Sequence, residues 1–154
     1  MVAELDAFDR QILRVVQDNN LLTHAEIGER VNLSPSSVRR RLTLLRETGV
    51  IAADVSILSP TVLGSAITVI VSVTFERESP DAYEAFRKRM TRAPEVSQCY
   101  SVAGPIDFVL ICHARDLAEH EKWAERALMA DPNIKRYDSQ VAWSRTKFTT
   151  RLPV

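Results

Sequence analysis

Cysteine and long apolar runs are scarce in this sequence of 154 residues. The two cysteines, Cys99 and Cys112, lie in apolar, strand-like stretches, so we expect reduced, buried thiols. No apolar run approaches the roughly 18 residues of a membrane-spanning helix. The amino terminus is amphipathic and acidic, unlike a signal peptide. These absences predict a cytoplasmic protein that does not associate with membranes.

An excess of charge of either sign is also missing, since 20 basic residues balance 20 acidic ones. A protein that grips nucleic acid over its whole surface is therefore excluded, and any such binding must be local. The sequence has no glycine-rich phosphate loop and no serine in a nucleophile elbow. Its histidines, His24, His113 and His120, are scattered among separate elements. We therefore predict no catalytic residue, no metal site and no cofactor.

One short basic helix is the most informative stretch. Ser34 is positioned to cap it, Pro35 suits its first position and Gly49 closes it. At about 100° per residue, the helix has two distinct sides. Its apolar stripe consists of Val38, Leu42 and Leu45, and the opposite side presents Ser36, Ser37, Arg39, Arg40 and Thr43. Hydroxyls and guanidiniums on such a face can contact phosphates and guanine, so it is a candidate DNA contact.

Exposed arginines on a helix often serve only solubility, and the preceding residues decide between the two interpretations. Thr23 and Glu26 form a capping box for an earlier helix, and Asn32 tolerates the left-handed conformation of a tight turn. Two helices joined in this way, with the basic one second, match a helix-turn-helix. Thr23 and Ser34, at the helix starts, join the candidate DNA contacts. Arg41 joins them too, although its angle also allows it to pair with an acidic residue of the same domain.

A further helix is predicted upstream, over 6–19, to cover the other two, and Gly28 permits close helix approach. After the basic helix, residues 53–58 read as a strand, Ser59-Pro60 stops it and Gly64 marks a flexible point. We therefore predict a helix-turn-helix domain over 1–51 and a strand and hinge over 52–66. The remaining residues, 67–154, form a second domain.

The second half has a different periodicity. Strands are predicted over 67–75, 96–103, 108–114 and 137–143, with helices after Ser79 and after Asp116. The order β-α-β-β-α-β is the ferredoxin-like plan, an α+β fold with an antiparallel sheet and both helices on one face. If the hairpin is symmetric about Pro105 and Ile106, Cys99 and Cys112 face each other across neighbouring strands.

The face of this sheet that the helices leave uncovered carries a further prediction. Apolar residues occupy both faces of the central strands. Tyr100 and Val102 alternate with Cys99 and Ala103, and Val109 and Ile111 alternate with Phe108 and Leu110. An exposed apolar face of this size is typical of self-association. A monomer also offers few phosphate contacts, and affinity for DNA grows with their number. We therefore expect a homodimer.

Motifs along nearly the whole chain resemble one family. They are Leu5-Asp6, Asp9, Ile12-Leu13, Ile27-Gly28, Leu33-Ser34, Val38, Arg41, Leu45, Glu47, Gly49-Val50-Ile51, Pro94-Glu95-Val96, Cys99-Tyr100, Val102-Ala103-Gly104, Asp107-Phe108-Val109-Leu110, Asp116, Ile134 and Lys147. The sequence resembles the leucine-responsive and asparagine-regulator family of transcription factors, Lrp/AsnC. The resemblance implies a winged or strand-flanked helix-turn-helix, an amino-acid-sensing module, and dimers that assemble into octamers or related rings.

The resemblance also implies a site for a small-molecule effector between sensing domains. Gly104 and Asp107 stand at its G-x-x-D positions, and Tyr100 and Ser139 complete the candidate site, Ser139 where a threonine is common. A glycine lets backbone approach a ligand, and a carboxylate can accept an α-ammonium group. Alternatively, Gly104 and Asp107 only build the hairpin turn. Leu44 departs from the family, which commonly has a basic residue there.

The sequence thus predicts a non-enzymatic, sequence-specific regulator that binds double-stranded DNA and responds to an amino acid or related metabolite. The alternative is an enzyme, because proteins resembling this family act as sirohaem decarboxylases on the same two-domain fold. The basic helix favours the regulator, since such an enzyme needs no DNA-binding face.

Overall fold

Two separate hydrophobic cores form in the chain, one in each of two units. The computed structural model describes residues 4–60, 62–64, 67–77 and 79–154. The first unit comprises Met1–Ile57 together with Lys147–Val154, and the second comprises Leu58–Thr146. Within the described ranges, no helix is both long enough and apolar enough to cross a membrane.

The described part of the first unit contains three helices: α1 (Ala7–Asp18), α2 (His24–Val31) and α3 (Pro35–Glu47). Each begins at a side chain that accepts a hydrogen bond from a backbone amide of its first turn, namely Asp6, Thr23 and Ser34. The predicted capping box of α2 is confirmed, and α1 has one as well. The core of the unit consists of Ile12, Leu13, Ile27, Val31, Val38, Leu42 and Leu45.

The turn between α2 and α3 is tight. Asn32 has φ 56° and ψ 47°, the left-handed conformation predicted for it. A Cβ atom at Gly28 would lie 2.4 Å from the carbonyl oxygen of Leu33, so only glycine fits there. Gly28 therefore permits close approach, as predicted, but it is the backbone of the turn that approaches it.

Among its described residues, the second unit contains four strands and two helices in the predicted β-α-β-β-α-β order. They are β1 (Ile67–Phe75), α4 (Pro80–Arg92), β2 (Val96–Ser101), β3 (Phe108–Ala114), α5 (Leu117–Ala124), which continues as a π-helical turn over Glu125–Met129, and β4 (Ile134–Val141). The strands pair antiparallel in the order β2-β3-β1-β4. This is the ferredoxin-like topology, and the prediction is confirmed.

Alternation along the central strands gives the sheet one buried face. Apolar residues of β1 and β3 pack against α4 and α5 in a core of Val69, Val71, Val73, Phe75, Phe86, Met90, Phe108, Leu110, Cys112, Trp123, Ala124 and Leu128. The opposite face of the sheet leaves Ile70 and Tyr100 exposed by 39% and 52%. The second unit therefore presents the partly apolar open face that the sequence predicted.

The hairpin between β2 and β3 is not symmetric about Pro105 and Ile106. Cys99 lies opposite Leu110 because the hairpin is centred one residue earlier than expected. Cys112 lies opposite Val96 because the pairing shifts at an irregularity between Val96 and Gln98. The predicted opposition of the two cysteines is therefore wrong. Both are free thiols, and burial raises the pKa of Cys112 to about 12, so this thiol stays protonated near neutral pH.

No strand forms over 53–58, contrary to the prediction. A strand needs a second one for its hydrogen bonds, and no described segment pairs with this one, which leaves Val55 69% exposed. β4 also ends at Val141, two residues short of the predicted end. Thr61, Ser65 and Ala66 of the predicted hinge lie outside the described residues.

The segment 147–154 packs on α1 in the first unit. The side-chain amide of Gln17 bonds the backbone of Leu152 twice: Leu152 N donates to Oε1 at 2.6 Å, and Nε2 donates to the Leu152 oxygen at 3.2 Å. Arg151 forms an ion pair with Asp18 at 2.7 Å. The predicted effector domain ran to residue 154, whereas these residues belong with the helices of the first unit.

Candidate nucleic-acid interface and effector site

The outward side of α3 forms one continuous surface. Its residues line a shallow concavity and are Ser36, Arg39, Arg40, Thr43, Leu44 and Glu47. The apolar stripe of the same helix is buried in the core of the first unit, as predicted. The packing therefore fixes which side chains the helix can offer to a partner, and we call this set the α3 face.

Arg39 and Arg40 are the unengaged cations of the α3 face. Both are exposed, and neither forms an ion pair or a side-chain hydrogen bond with another described residue. Guanidiniums in this state can form the paired hydrogen bonds that bind guanine or phosphate without first breaking a contact in the protein. They are the strongest candidates for a nucleic-acid contact.

The side chain of Arg41 faces inward and binds two carboxylates of the same unit. Its Nη1 lies 2.7 Å from a carboxylate oxygen of Asp6 and 2.7 Å from one of Asp9, and its guanidinium carbon lies 5.5 Å from the ring centre of Phe8. The hydrogen bonds to Asp9 and Asp6 raise the pKa of Arg41 above its ordinary value. Arg41 thus makes the pairing within the domain that was one of its two predicted roles.

Arg46, near the end of α3, is also paired. Its Nε lies 2.8 Å from Asp54, and this hydrogen bond raises the pKa of the guanidinium. No local signal in the sequence indicated this pair. Two of the four arginines of α3, Arg41 and Arg46, are thus paired with carboxylates of the first unit.

The predicted contacts at the helix starts use their hydroxyls in capping. Ser34 Oγ accepts a hydrogen bond from Ser37 N at 3.2 Å and donates to Ser37 Oγ at 2.9 Å. Thr23 Oγ1 donates to Glu26 at 2.7 Å. These bonds set where the helices begin, and thereby where the amides of each first turn point.

The carboxylate of Asp107 joins β1 and α4 of the second unit through hydrogen bonds. Its Oδ2 accepts a hydrogen bond from Phe75 N at 2.7 Å, and the hydroxyl of Tyr83 donates to its Oδ1. Gly104, three residues earlier, has φ 142°, which only glycine adopts readily. The loop geometry thus accounts for both residues of the G-x-x-D pattern. Sequence reasoning missed Tyr83 because it is 24 residues from its partner.

Tyr100 and Ser139 lie on opposite faces of the sheet. Tyr100 is level with Val109 on the open face, and its hydroxyl donates to Gln98 at 2.7 Å. Ser139 pairs with Val71 on the helix-covered side, where its Oγ lies 2.9 Å from His120 Nε2. Three strand spacings, roughly 14 Å, separate β2 from β4. One chain therefore does not bring these two predicted effector residues together.

His120 is a buried histidine that the sequence reading set aside. It is 4% exposed, and burial lowers its pKa below the ordinary value. Its ring contacts Trp123, with ring centres 5.6 Å apart. His120 therefore lies in the interior of the second unit.

Comparison with known proteins accounts for both units. Residues 5–52 match a family model described as winged helix-turn-helix DNA-binding, and residues 68–152 match one described as the Lrp/AsnC ligand-binding domain. The chain belongs to the Lrp/AsnC family. Similar proteins include an uncharacterized HTH-type transcriptional regulator of Sinorhizobium fredii, 41% identical over 98% of this chain and 89% of that protein. The leucine-responsive regulatory protein of Escherichia coli is 28% identical over 98% of this chain and 92% of its own.

Solved structures of transcriptional regulators have the same fold. A transcriptional regulator of Neisseria meningitidis, solved as a complex with L-Met, has a TM-score of 0.91 at 31% identity and covers 97% of both chains. An AsnC family regulator from Agrobacterium tumefaciens has a TM-score of 0.91 at 30% identity, again over 97% of both chains. This Lrp/AsnC chain is thus a transcriptional regulator with a DNA-binding unit and a ligand-binding unit.

Proposed function

We propose that the chain is a sequence-specific regulator that binds double-stranded DNA through the α3 face. One observation carries the proposal: Arg39 and Arg40 are exposed on a capped helix, after a left-handed turn, without an ion-pair partner among the described residues. An arginine can bind the O6 and N7 atoms of guanine together in the major groove. Ser36 and Thr43, which flank the arginines, are short enough to bond phosphates or base edges.

The helix starts supply the second part of the proposed contact. Ser34, Ser37 and Thr23 lie where backbone amides and the helix dipole favour an anion, so we assign them to the phosphate backbone. Such contacts set the orientation of the helix and carry no sequence information. Arg41 is left out of the proposed contact because Asp6 and Asp9 already bind its guanidinium.

The functional form that we propose is a homodimer, assembling further into an octamer or a related ring. Two free guanidiniums on one α3 face are few, and each phosphate contact contributes to affinity through released counterions. The open face of the sheet, with Ile70 and Tyr100, offers apolar area for a second copy. A dimer presents two α3 helices to successive turns of the major groove.

We further propose an amino acid as effector, bound beside the loop that contains Gly104 and Asp107. The N. meningitidis relative solved with L-Met supports this class of ligand. A carboxylate oxygen has more than one lone pair, so Asp107 can accept an ammonium group while it holds Phe75 and Tyr83. Tyr100 and Ser139 contribute to one pocket only if two copies of the chain supply them.

The test begins with selection of binding sites from random duplex DNA, followed by gel shifts at fixed salt. A defined operator bound more tightly than scrambled DNA is the expected result. Thermal shifts with each of the common amino acids then test the effector, because a ligand specific for the folded state raises the melting temperature. Equal binding to all DNA would contradict sequence specificity, and no shift with any amino acid would leave Gly104 and Asp107 as turn residues.

The enzyme alternative is tested on the same preparation. Purified protein with haem-like absorbance and no DNA affinity would favour a decarboxylase over a regulator. We rank the regulator first because the relatives are named transcriptional regulators. Since a regulator acts where its DNA is, we assign the protein to the cytoplasm.

A further inference from the structure

We infer that Leu44 recognises the 5-methyl group of a thymine in the operator. The inference rests on the proposed DNA-binding function and adds the identity of one base that α3 contacts. Leu44 follows Arg40 by one helical turn, and 58% of its surface is exposed. It is the apolar member of the otherwise polar α3 face.

The fold itself does not require a leucine at this position. Leu42 and Leu45 supply the core contacts of this part of α3, each 3% exposed. Leu44 belongs neither to that core nor to the partly buried residues packed against it. Many residues form helices as well as leucine does, so helix propensity alone does not select an apolar side chain here.

The chemistry of the groove limits what Leu44 can contact favourably. A leucine side chain neither donates nor accepts hydrogen bonds, so pressing it against phosphates or polar base edges would strip water from them without replacement. The apolar group that base pairs expose in the major groove is the thymine methyl. Contact with it buries one methyl, worth about fourfold in affinity, or ~0.8 kcal/mol.

The spacing on α3 predicts where that thymine lies. Four residues advance a helix by about 6 Å, and stacked bases are about 3.4 Å apart along a strand. The thymine contacted by Leu44 should therefore lie about two base pairs from the base contacted by Arg40.

The test uses operators in which each thymine is replaced singly by deoxyuridine, which lacks the methyl and keeps the pairing groups. Affinities are measured at fixed salt for the wild type and for Leu44→Ala. Thr43→Ser removes the neighbouring methyl of the α3 face, and Leu21→Ala removes a leucine that is 88% exposed outside α3. Circular dichroism verifies that each variant is folded.

We expect one thymine in each half-site whose replacement weakens wild-type binding about fourfold. Leu44→Ala should bind the thymine and deoxyuridine operators equally, while Thr43→Ser and Leu21→Ala keep the wild-type difference. The inference is overturned if no single replacement weakens wild-type binding, if Leu44→Ala retains the difference, or if Thr43→Ser alone abolishes it. In each of these three outcomes the wild type still binds the operator, so the proposed function stands. Failure to select any operator would overturn the proposed function as well.

Discussion

Arg41 of α3 and Asp9 of α1 form an ion pair, with Nη1 2.7 Å from Oδ1. Both side chains are mostly shielded, at 22% and 17% exposure. The pair ties the proposed DNA-contacting helix to the helix that covers it. Arg41, the last of three consecutive arginines, is therefore engaged within the first unit, whereas Arg39 and Arg40 remain available.

Replacing Arg41 tests whether this residue contributes to stability or to DNA binding. We expect Arg41→Ala to lower the free energy of unfolding by about 1 kcal/mol, because Asp9 loses a charged hydrogen-bond partner, and urea titration measures the change. Operator affinity of the folded variant should stay within about twofold. A large loss of affinity with unchanged stability would instead assign Arg41 to the DNA contact, which was one of the roles predicted for it.

Arg40 should behave in the opposite way. Arg40→Ala is expected to weaken operator binding by about 1–3 kcal/mol if the guanidinium contacts a base, with no loss of stability. Gel shifts at fixed salt measure the effect. Arg92→Ala removes the same charge from α4 and serves as the matched control. Equal losses from the two variants would mean that only overall charge matters.

The open face of the sheet can be tested by adding a charge to it. Ile70→Glu inserts a carboxylate in the middle of β1, where a second copy would have to desolvate it. Light scattering at micromolar concentration should show a smaller particle than the wild type and, with a single α3 face, weaker operator binding. Leu117→Glu changes an equally apolar residue, 61% exposed at the start of α5, and should leave the particle size unchanged. A monomeric wild type would refute the dimer.

His120 predicts a pH dependence of stability. Because burial lowers its pKa in the folded state, the unfolded chain binds a proton first as the pH falls. Its contribution to stability is constant above the unfolded pKa of about 6.5 and is lost as the pH falls from there toward the folded pKa. The melting temperature of His120→Gln should fall less between pH 7 and pH 5 than that of the wild type. The exposed His24→Gln is the control, and identical profiles for all three would contradict the prediction.

The hydrogen bonds between Gln17 of α1 and Leu152 predict a local effect on hydrogen exchange. Gln17→Ala removes both hydrogen bonds to Leu152, so the amide of Leu152 should lose protection from hydrogen exchange. We expect a cost of about 1 kcal/mol in the free energy of unfolding. Gln11→Ala alters another glutamine of α1, one that is exposed, and should leave that amide protected. Retained protection in Gln17→Ala would show that other contacts hold the tail.

Local signals in the sequence were enough for most of the fold. The caps at Thr23, Ser34 and Asp116 act within one helical turn, and the alternation along β1 depends on neighbouring residues alone. The α3 face followed from helical periodicity for the same reason. These features need no knowledge of distant parts of the chain.

Features that join distant residues were not predictable in this way. Most of α4 and the whole of β2 separate Tyr83 from Asp107 in the sequence, and nothing in the sequence indicates that Arg46 binds Asp54. The hairpin is centred one residue earlier than the turn residues indicated, and nothing in the sequence marks the irregularity between Val96 and Gln98. The strand predicted over 53–58 had the right composition, but a strand exists only where a hydrogen-bonding neighbour is present.

The position of segment 147–154 has a consequence for synthesis. The ribosome makes the three helices of the first unit early, yet the residues that bond Gln17 and Asp18 are translated only after the whole ligand-binding unit. The DNA-binding unit can therefore form these contacts only after the ligand-binding unit has been synthesised. A fragment that stops after α3 would carry the recognition residues but leave this side of α1 bare.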